Sequence, residues 1–129
     1  MLNLKNFLKN LIFSLMISHI RTSKKNKELV TELTRKHSLG AENVIARLAI
    51  AHSLKEGKKL NLKNLADSGG KEYSRKVLFG EYENIYLGMI CNLYGIHRRD
   101  KSLGKLVKLH LDEGLKQIHN KKNNVEIMI

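Results

Sequence analysis

The 129-residue chain contains no proline and no tryptophan, a single cysteine, and only three phenylalanines and four tyrosines. At ordinary usage a chain this long would carry about six prolines, so the strongest helix breaker is missing throughout. Scarce aromatics beside abundant leucine and lysine tilt the composition towards helix and away from sheet. With Cys91 alone, no intrachain disulfide can form, which suits a reducing, cytoplasmic setting. Acidic residues are also scarce: 12 Asp and Glu face 24 Lys and Arg, leaving a net charge of +12. An excess of that size is normally matched by a polyanion; nucleic acid is the commonest and an anionic membrane surface the next. The blander reading is a basic protein whose lysines merely keep it soluble.

What is present fits one globular domain: 42% hydrophobic residues can build a core. The run Leu11-Ile12-Phe13-Ser14-Leu15-Met16-Ile17 follows Lys5 and Lys9 as a weak secretory signal would, but no small-residue cleavage site comes after it. It is also shorter than the ~20 apolar residues that span a bilayer. Leu4, Phe7, Leu8, Leu11, Ile12 and Leu15 instead share one face of an amphipathic helix, and Met16 is a second candidate start. Residues 1–17 are therefore expected to be an appendage, 18–120 the domain, and 121–129 a frayed tail.

Within the domain, residues 18–22 alternate too briefly to define a strand alone. Ser23 is a suitable N-cap for a helix from Lys24 to His37 with Leu29, Val30 and Leu33 inward, broken by Ser38-Leu39-Gly40. A second helix is predicted from Ala41 to Glu56, with Val44, Ile45, Leu48 and Ala49 on one stripe. Residues 57–80 read as irregular, with a short extended piece at Leu60 and Leu62 and an apolar plug at 76–80. From Glu81 to Tyr94 the residues Tyr82, Ile85, Tyr86, Met89, Ile90 and Leu93 make the cleanest helical stripe. Leu87 and Cys91 opposite it suggest a central helix covered on two sides. Asp100 caps a last helix to Ile118, with Leu103, Leu106, Val107, Leu111, Leu115 and Ile118 inward. The fold class is all-α, a small single-domain helical protein.

Four segments resemble one family in order and spacing. They are Ile20-Arg21-Thr22-Ser23, then Asn43-Val44-Ile45-Ala46-Arg47-Leu48-Ala49 with Ser53-Leu54, then Leu78-Phe79-Gly80-Glu81-Tyr82, and finally His110-Leu111-Asp112-Glu113-Gly114-Leu115. Together they are similar to the DndE family of the DNA phosphorothioation system, over about Ser18 to Ile118. The resemblance implies an opening strand-helix-helix similar to a ribbon-helix-helix unit, and self-association with a tetramer expected. It also implies binding of double-stranded DNA with a liking for nicked duplex. Partners would be a sulfurtransferase-like and an ATPase subunit that together exchange a non-bridging phosphate oxygen for sulfur. No catalytic residue of its own and no cofactor are implied.

Three basic clusters are candidates for DNA contact: His19, Arg21, Lys24, Lys25 and Lys27; Arg35 and Lys36 with Lys58 and Lys59; and Arg98, Arg99 and Lys101. Such cations bind backbone phosphates by releasing condensed counterions, without regard to sequence. If residues 18–22 are extended, His19 and Arg21 project to one side and Ile20 and Thr22 to the other. Arg47 is expected to hold the fold by pairing with Glu42 or Glu81. Cys91, mid-helix without an adjacent cation in the sequence, is read as structural rather than as a sulfur carrier. The histidines show no zinc spacing and there is no phosphate-binding glycine loop. Glu81, Glu83, Asp112 and Glu113 leave open a metal-dependent nickase. The opening element leaves open a ribbon-helix-helix transcriptional regulator, and the amphipathic N-terminal helix a membrane-surface protein.

Overall fold

The structure, a computed structural model, describes residues 3–8 and 19–121. Most of the expected appendage and residues 122–129 of the expected tail lie outside the described residues. Strand β1 (His19–Arg21) leads into α1 (Lys24–Lys36) and α2 (Glu42–Lys55). A connecting segment with one 3-10 turn at Leu62–Asn64 follows, then β2 (Glu72–Ser74), α3 (Arg75–Phe79), α4 (Glu83–Tyr94) and α5 (Leu103–Asn120).

Each boundary has a local cause. Ser23 is the N-cap of α1, its hydroxyl accepting from the Asn26 amide. The turn after α1 places Ser38 at φ 53 and Gly40 at φ 78, so the chain reverses and lays α2 back along α1. The expectation that Asp100 caps the last helix is corrected: α5 starts at Leu103 with Ser102 at its N-cap and no side-chain cap bond, and Asp100 accepts from the Ser102 amide at 2.8 Å within the turn before it. The extended piece expected at Leu60 and Leu62 is a 3-10 turn instead, because the Asn61 side chain accepts from the Lys63 amide and curls the backbone.

The core is built on α2 and α5, which pack along most of their length. Ile45, Ala46, Ala49, Ile50 and Leu54 meet Leu103, Leu106, Val107, Leu111, Leu115 and Ile118, all buried. Gly114 faces the backbone of Ala49 so closely that a Cβ there would overlap the Ala49 carbonyl. The expectation that the Glu81–Tyr94 helix is central is thereby corrected. Helix α4 lies on the outside, with Leu87 and Ile90 buried but Ile85 60%, Tyr82 45% and Met89 45% exposed. Hydrophobic periodicity marks a stripe without saying what covers it.

Strand β1 pairs antiparallel with β2 of the same chain, in the register His19 with Ser74, Ile20 with Tyr73 and Arg21 with Glu72. The opening strand-helix-helix is present, and the strand's partner comes from within the chain. Ile20 and Tyr73 close over the core while His19 and Arg21 stay exposed, which is the expected alternation.

Candidate nucleic-acid interface

The segments that carry the family resemblance turn out to hold the fold together. Arg47 donates from Nε to the Leu78 carbonyl at 2.8 Å, and Asn43 donates to the Val77 carbonyl at 3.2 Å. Both residues thus satisfy carbonyls at the end of α3 that no helical amide reaches. Arg47 does pin the fold, but through carbonyls rather than through Glu42 or Glu81; Glu42 pairs instead with Lys71 at 3.0 Å. The guanidinium also lies 5.8 Å from the Tyr82 ring centre. Gly80 sits against it at φ +56, a conformation that disfavours other residues. Ser53, from the same segment as Arg47, and His110, from the last one, are hydrogen-bonded at 2.8 Å in the core.

Around the start of α1 a buried lysine organises the surface. Lys108 donates to the Arg21 carbonyl at 2.7 Å, the Asp67 carbonyl at 2.8 Å and Asp112 Oδ2 at 3.0 Å. All three ammonium protons are therefore matched, as a buried cation requires. Asp112 Oδ1 accepts from the Ser23 amide at 3.1 Å and from Asn26 Nδ2 at 2.7 Å. Asp67 accepts from the Lys24 amide at 2.9 Å, and that bond leads in holding its carboxyl below the usual range. Two carboxylates thus already occupy the positive end of α1. A phosphate at this surface must be met by side chains, not by the free amides of the helix.

Side chains for that purpose surround the connecting segment 57–71. Lys25 of α1, Asn61 and Asn64 of the segment and Lys116 of α5 border one cleft of about 370 Å³. Lys59, Leu60 and Asn61 form the wall of a second cleft, whose far side is Ile96 and Ser102, flanking the turn that carries Arg98, Arg99 and Lys101. On the other side of the segment His19, Arg21 and Lys105 line a third. His19, Arg21 and Lys25 of the first cluster and Lys59 of the second therefore border clefts along one segment, while Arg98, Arg99 and Lys101 of the third line none of these three.

Not all of these cations are equally available. Arg21 bonds Glu72 at 3.2 Å, with His19 3.7 Å from the same oxygen. Arg98 is tied to Asn84 at 3.2 Å and lies 3.6 Å from Glu83. Among the described residues Lys25, Lys27, Lys58, Lys59, Lys101 and Lys116 enter no ion pair. Arg35 and Lys36 are separated from the group: they end α1, about 15 Å along the axis from Lys25 at 1.5 Å per residue. The sequence reading groups them with Lys58 and Lys59, but none of the three clefts is lined by a residue from the end of α1.

Lys105 and Lys116 are absent from the basic clusters in the sequence, yet both border these clefts. Their signal was helical spacing: Lys101, Lys105, Lys108 and Lys116 fall at i, i+4, i+7 and i+15 along one side of the last helix.

Of the four carboxylates that left an enzymatic reading open, Glu83 and Asp112 are engaged elsewhere. Glu83 bonds Arg75 at 2.7 Å, Asp112 is shared as above, and no three His, Cys, Asp or Glu side chains gather among the described residues. Cys91 is half-buried, and burial pushes its thiol up despite the nearby Arg98. No helix among the described residues is long and apolar enough to cross a membrane.

With this geometry in place, comparison with known proteins is informative. A family model described as "DNA sulphur modification protein DndE" matches residues 19–126. Among solved structures, the crystal structure of DndE from Escherichia coli B7A, involved in DNA phosphorothioation modification, superposes with a TM-score of 0.62. The two chains share 17% identity, over 78% of this chain and 96% of that one. No curated protein sequence matches significantly.

Proposed function

Because the chain belongs to the DndE family of DNA sulphur modification proteins, we propose that it is the non-catalytic, self-associating subunit that holds double-stranded DNA for sulfur insertion. Sulfurtransferase-like and ATPase subunits of the same system would carry out the chemistry. The observation that carries this reading is the set of cations at clefts along residues 57–71, where Lys25, Lys59 and Lys116 enter no ion pair among the described residues. Phosphate contacts of this kind give affinity and register but no base sequence.

Self-association is supported by the outer face of α4. Tyr82, Ile85 and Met89 stand exposed beside Val77, and with Arg47, Ala51 and Tyr86 they line an almost wholly apolar groove of about 300 Å³. A second copy of the chain would cover it. A tetramer is the assembly we propose.

The test is binding of the purified protein to intact, nicked and single-stranded DNA of unrelated sequences across a salt series. Sequence-indifferent binding that weakens steeply with salt is expected, tightest on nicked duplex. Tight binding to one palindrome would overturn this reading in favour of a transcriptional regulator, and no binding at low salt would leave the basic face to a partner protein.

A further inference from the structure

We propose that the cleft between α1, residues 60–66 and the second half of α5 accepts one nucleotide unstacked from the bound DNA strand. This rests on the DNA-binding reading above and adds a site to it.

The cleft differs from the other basic surfaces in being layered. Its lining grades with burial: Leu109 is buried and Leu29 and Leu60 are half-buried, while the carboxamides of Asn61 and Asn64 and the ammonium groups of Lys25 and Lys116 belong to exposed residues. The volume, about 370 Å³, lies at the lower end of the range that encloses small ligands. A nucleotide is layered in the same way. The flat base prefers an apolar wall, its edge needs donors and acceptors together, and its phosphate needs cations. Carboxamides supply a donor and an acceptor from one side chain.

A bare phosphate fits less well. It would gain nothing from the leucines, and it would meet Asp112 and Glu113, which also line the cleft. Asp112 is neutralised by Lys108. The carboxylate of Glu113, bonded among the described residues by Gln117 Nε2 at 3.3 Å, keeps lone pairs for a donor. An exocyclic amine or a ring imide N–H is such a donor, and an unpaired base exposes one. Extracting a paired base costs a few kcal/mol, and an unpaired one much less. The cleft therefore selects nucleotides that have already lost their partner.

The experiment uses the full chain and a DNA duplex with a single bulged 2-aminopurine, beside one in which 2-aminopurine is paired. Binding is followed by anisotropy and base environment by 2-aminopurine fluorescence. Saturating protein should raise the emission of the bulged base about threefold as it leaves its neighbours, and leave the paired base unchanged. Ala66, exposed on the cleft wall, is replaced in Ala66→Phe to fill the space. That variant, its fold checked by circular dichroism, should lose the rise while binding intact duplex within about twofold of the parent. Saturated binding with no rise, or a rise that survives Ala66→Phe, overturns the proposal. Adenosine monophosphate that perturbs the cleft without DNA, and tighter than the bulged duplex does, overturns it in favour of a free nucleotide. Absence of any anisotropy change, by contrast, sinks the DNA-binding reading itself.

Discussion

His110 is fully buried, and both its ring nitrogens are engaged. The Leu60 amide donates to the Tyr94 hydroxyl at 2.7 Å, so the tyrosine's own proton is directed to His110 Nε2, also at 2.7 Å. The tautomer that gives the Tyr94 proton an acceptor is the one with the imidazole proton on Nδ1, donated to Ser53 Oγ at 2.8 Å. This chain of bonds needs a neutral ring, and burial pulls the His110 pKa down to about 4. The unfolded chain takes up that proton near pH 6.5 and the native one only near 4. The stabilisation is therefore complete above 6.5 and lost as pH falls towards 4, about 3 kcal/mol at the end of that range. Urea unfolding at about pH 7 and about pH 4.5 should show a lower midpoint in acid, and His110→Gln should flatten the difference. Equal pH dependence in the two proteins would remove His110 as its cause. Arg47 makes a second residue-scale prediction. Lysine has no planar fork to reach two carbonyls and cover Tyr82, so Arg47→Lys should cost about 1–3 kcal/mol in thermal unfolding.

At the scale of elements, α4 is where packing within one chain is incomplete. Ile85 touches little of its own chain, so Ile85→Lys should leave the melting temperature of the isolated fold nearly unchanged. The same substitution places a charge in the centre of the apolar groove, where a covering subunit would have to desolvate it. Sedimentation velocity should show the parent as an oligomer and Ile85→Lys as a monomer; an unchanged oligomer would move the interface elsewhere. This helix also marks what a sequence discloses. The stripe Tyr82, Ile85, Met89 was plain from its spacing, but spacing cannot distinguish a face covered by the same chain from one awaiting another. The Ser23 cap was legible because it acts on an amide three residues away, whereas Asp100 closes only the turn before α5, whose N-cap is Ser102. Strand β2 was not, since Glu72-Tyr73-Ser74 is extended only because β1, about fifty residues earlier, pairs with it. The family motifs were legible too, but their residues (Asn43, Arg47, Ser53, Gly80, His110 and Gly114) specify packing, and the candidate DNA surface lies mostly outside them.

Across the whole molecule the question is how a net charge of +12 is arranged. Were it spread evenly, removing any few cations would weaken DNA binding alike, through net charge alone. The structure gathers cations from β1, α1, the connecting segment and α5 at clefts along residues 57–71, and leaves Arg35 at the far end of α1. Each phosphate contact contributes about 0.9 to the slope of log affinity against log salt. Replacing Lys25, Lys59 and Lys116 together by alanine should therefore lower that slope by about 2.7, while Arg35→Ala with Lys76→Ala should change it by less than about 1. All five are exposed, so the fold should persist in both variants. Fluorescence anisotropy from low to moderate salt measures both slopes. Equal losses would mean that DNA is held by overall charge, and a larger loss in the Arg35 and Lys76 variant would put the interface at the opposite end of the helix pair. If the expected asymmetry is found, strand-end and bulge preferences become interpretable, because the cations that grip the backbone border the cleft that would receive the base.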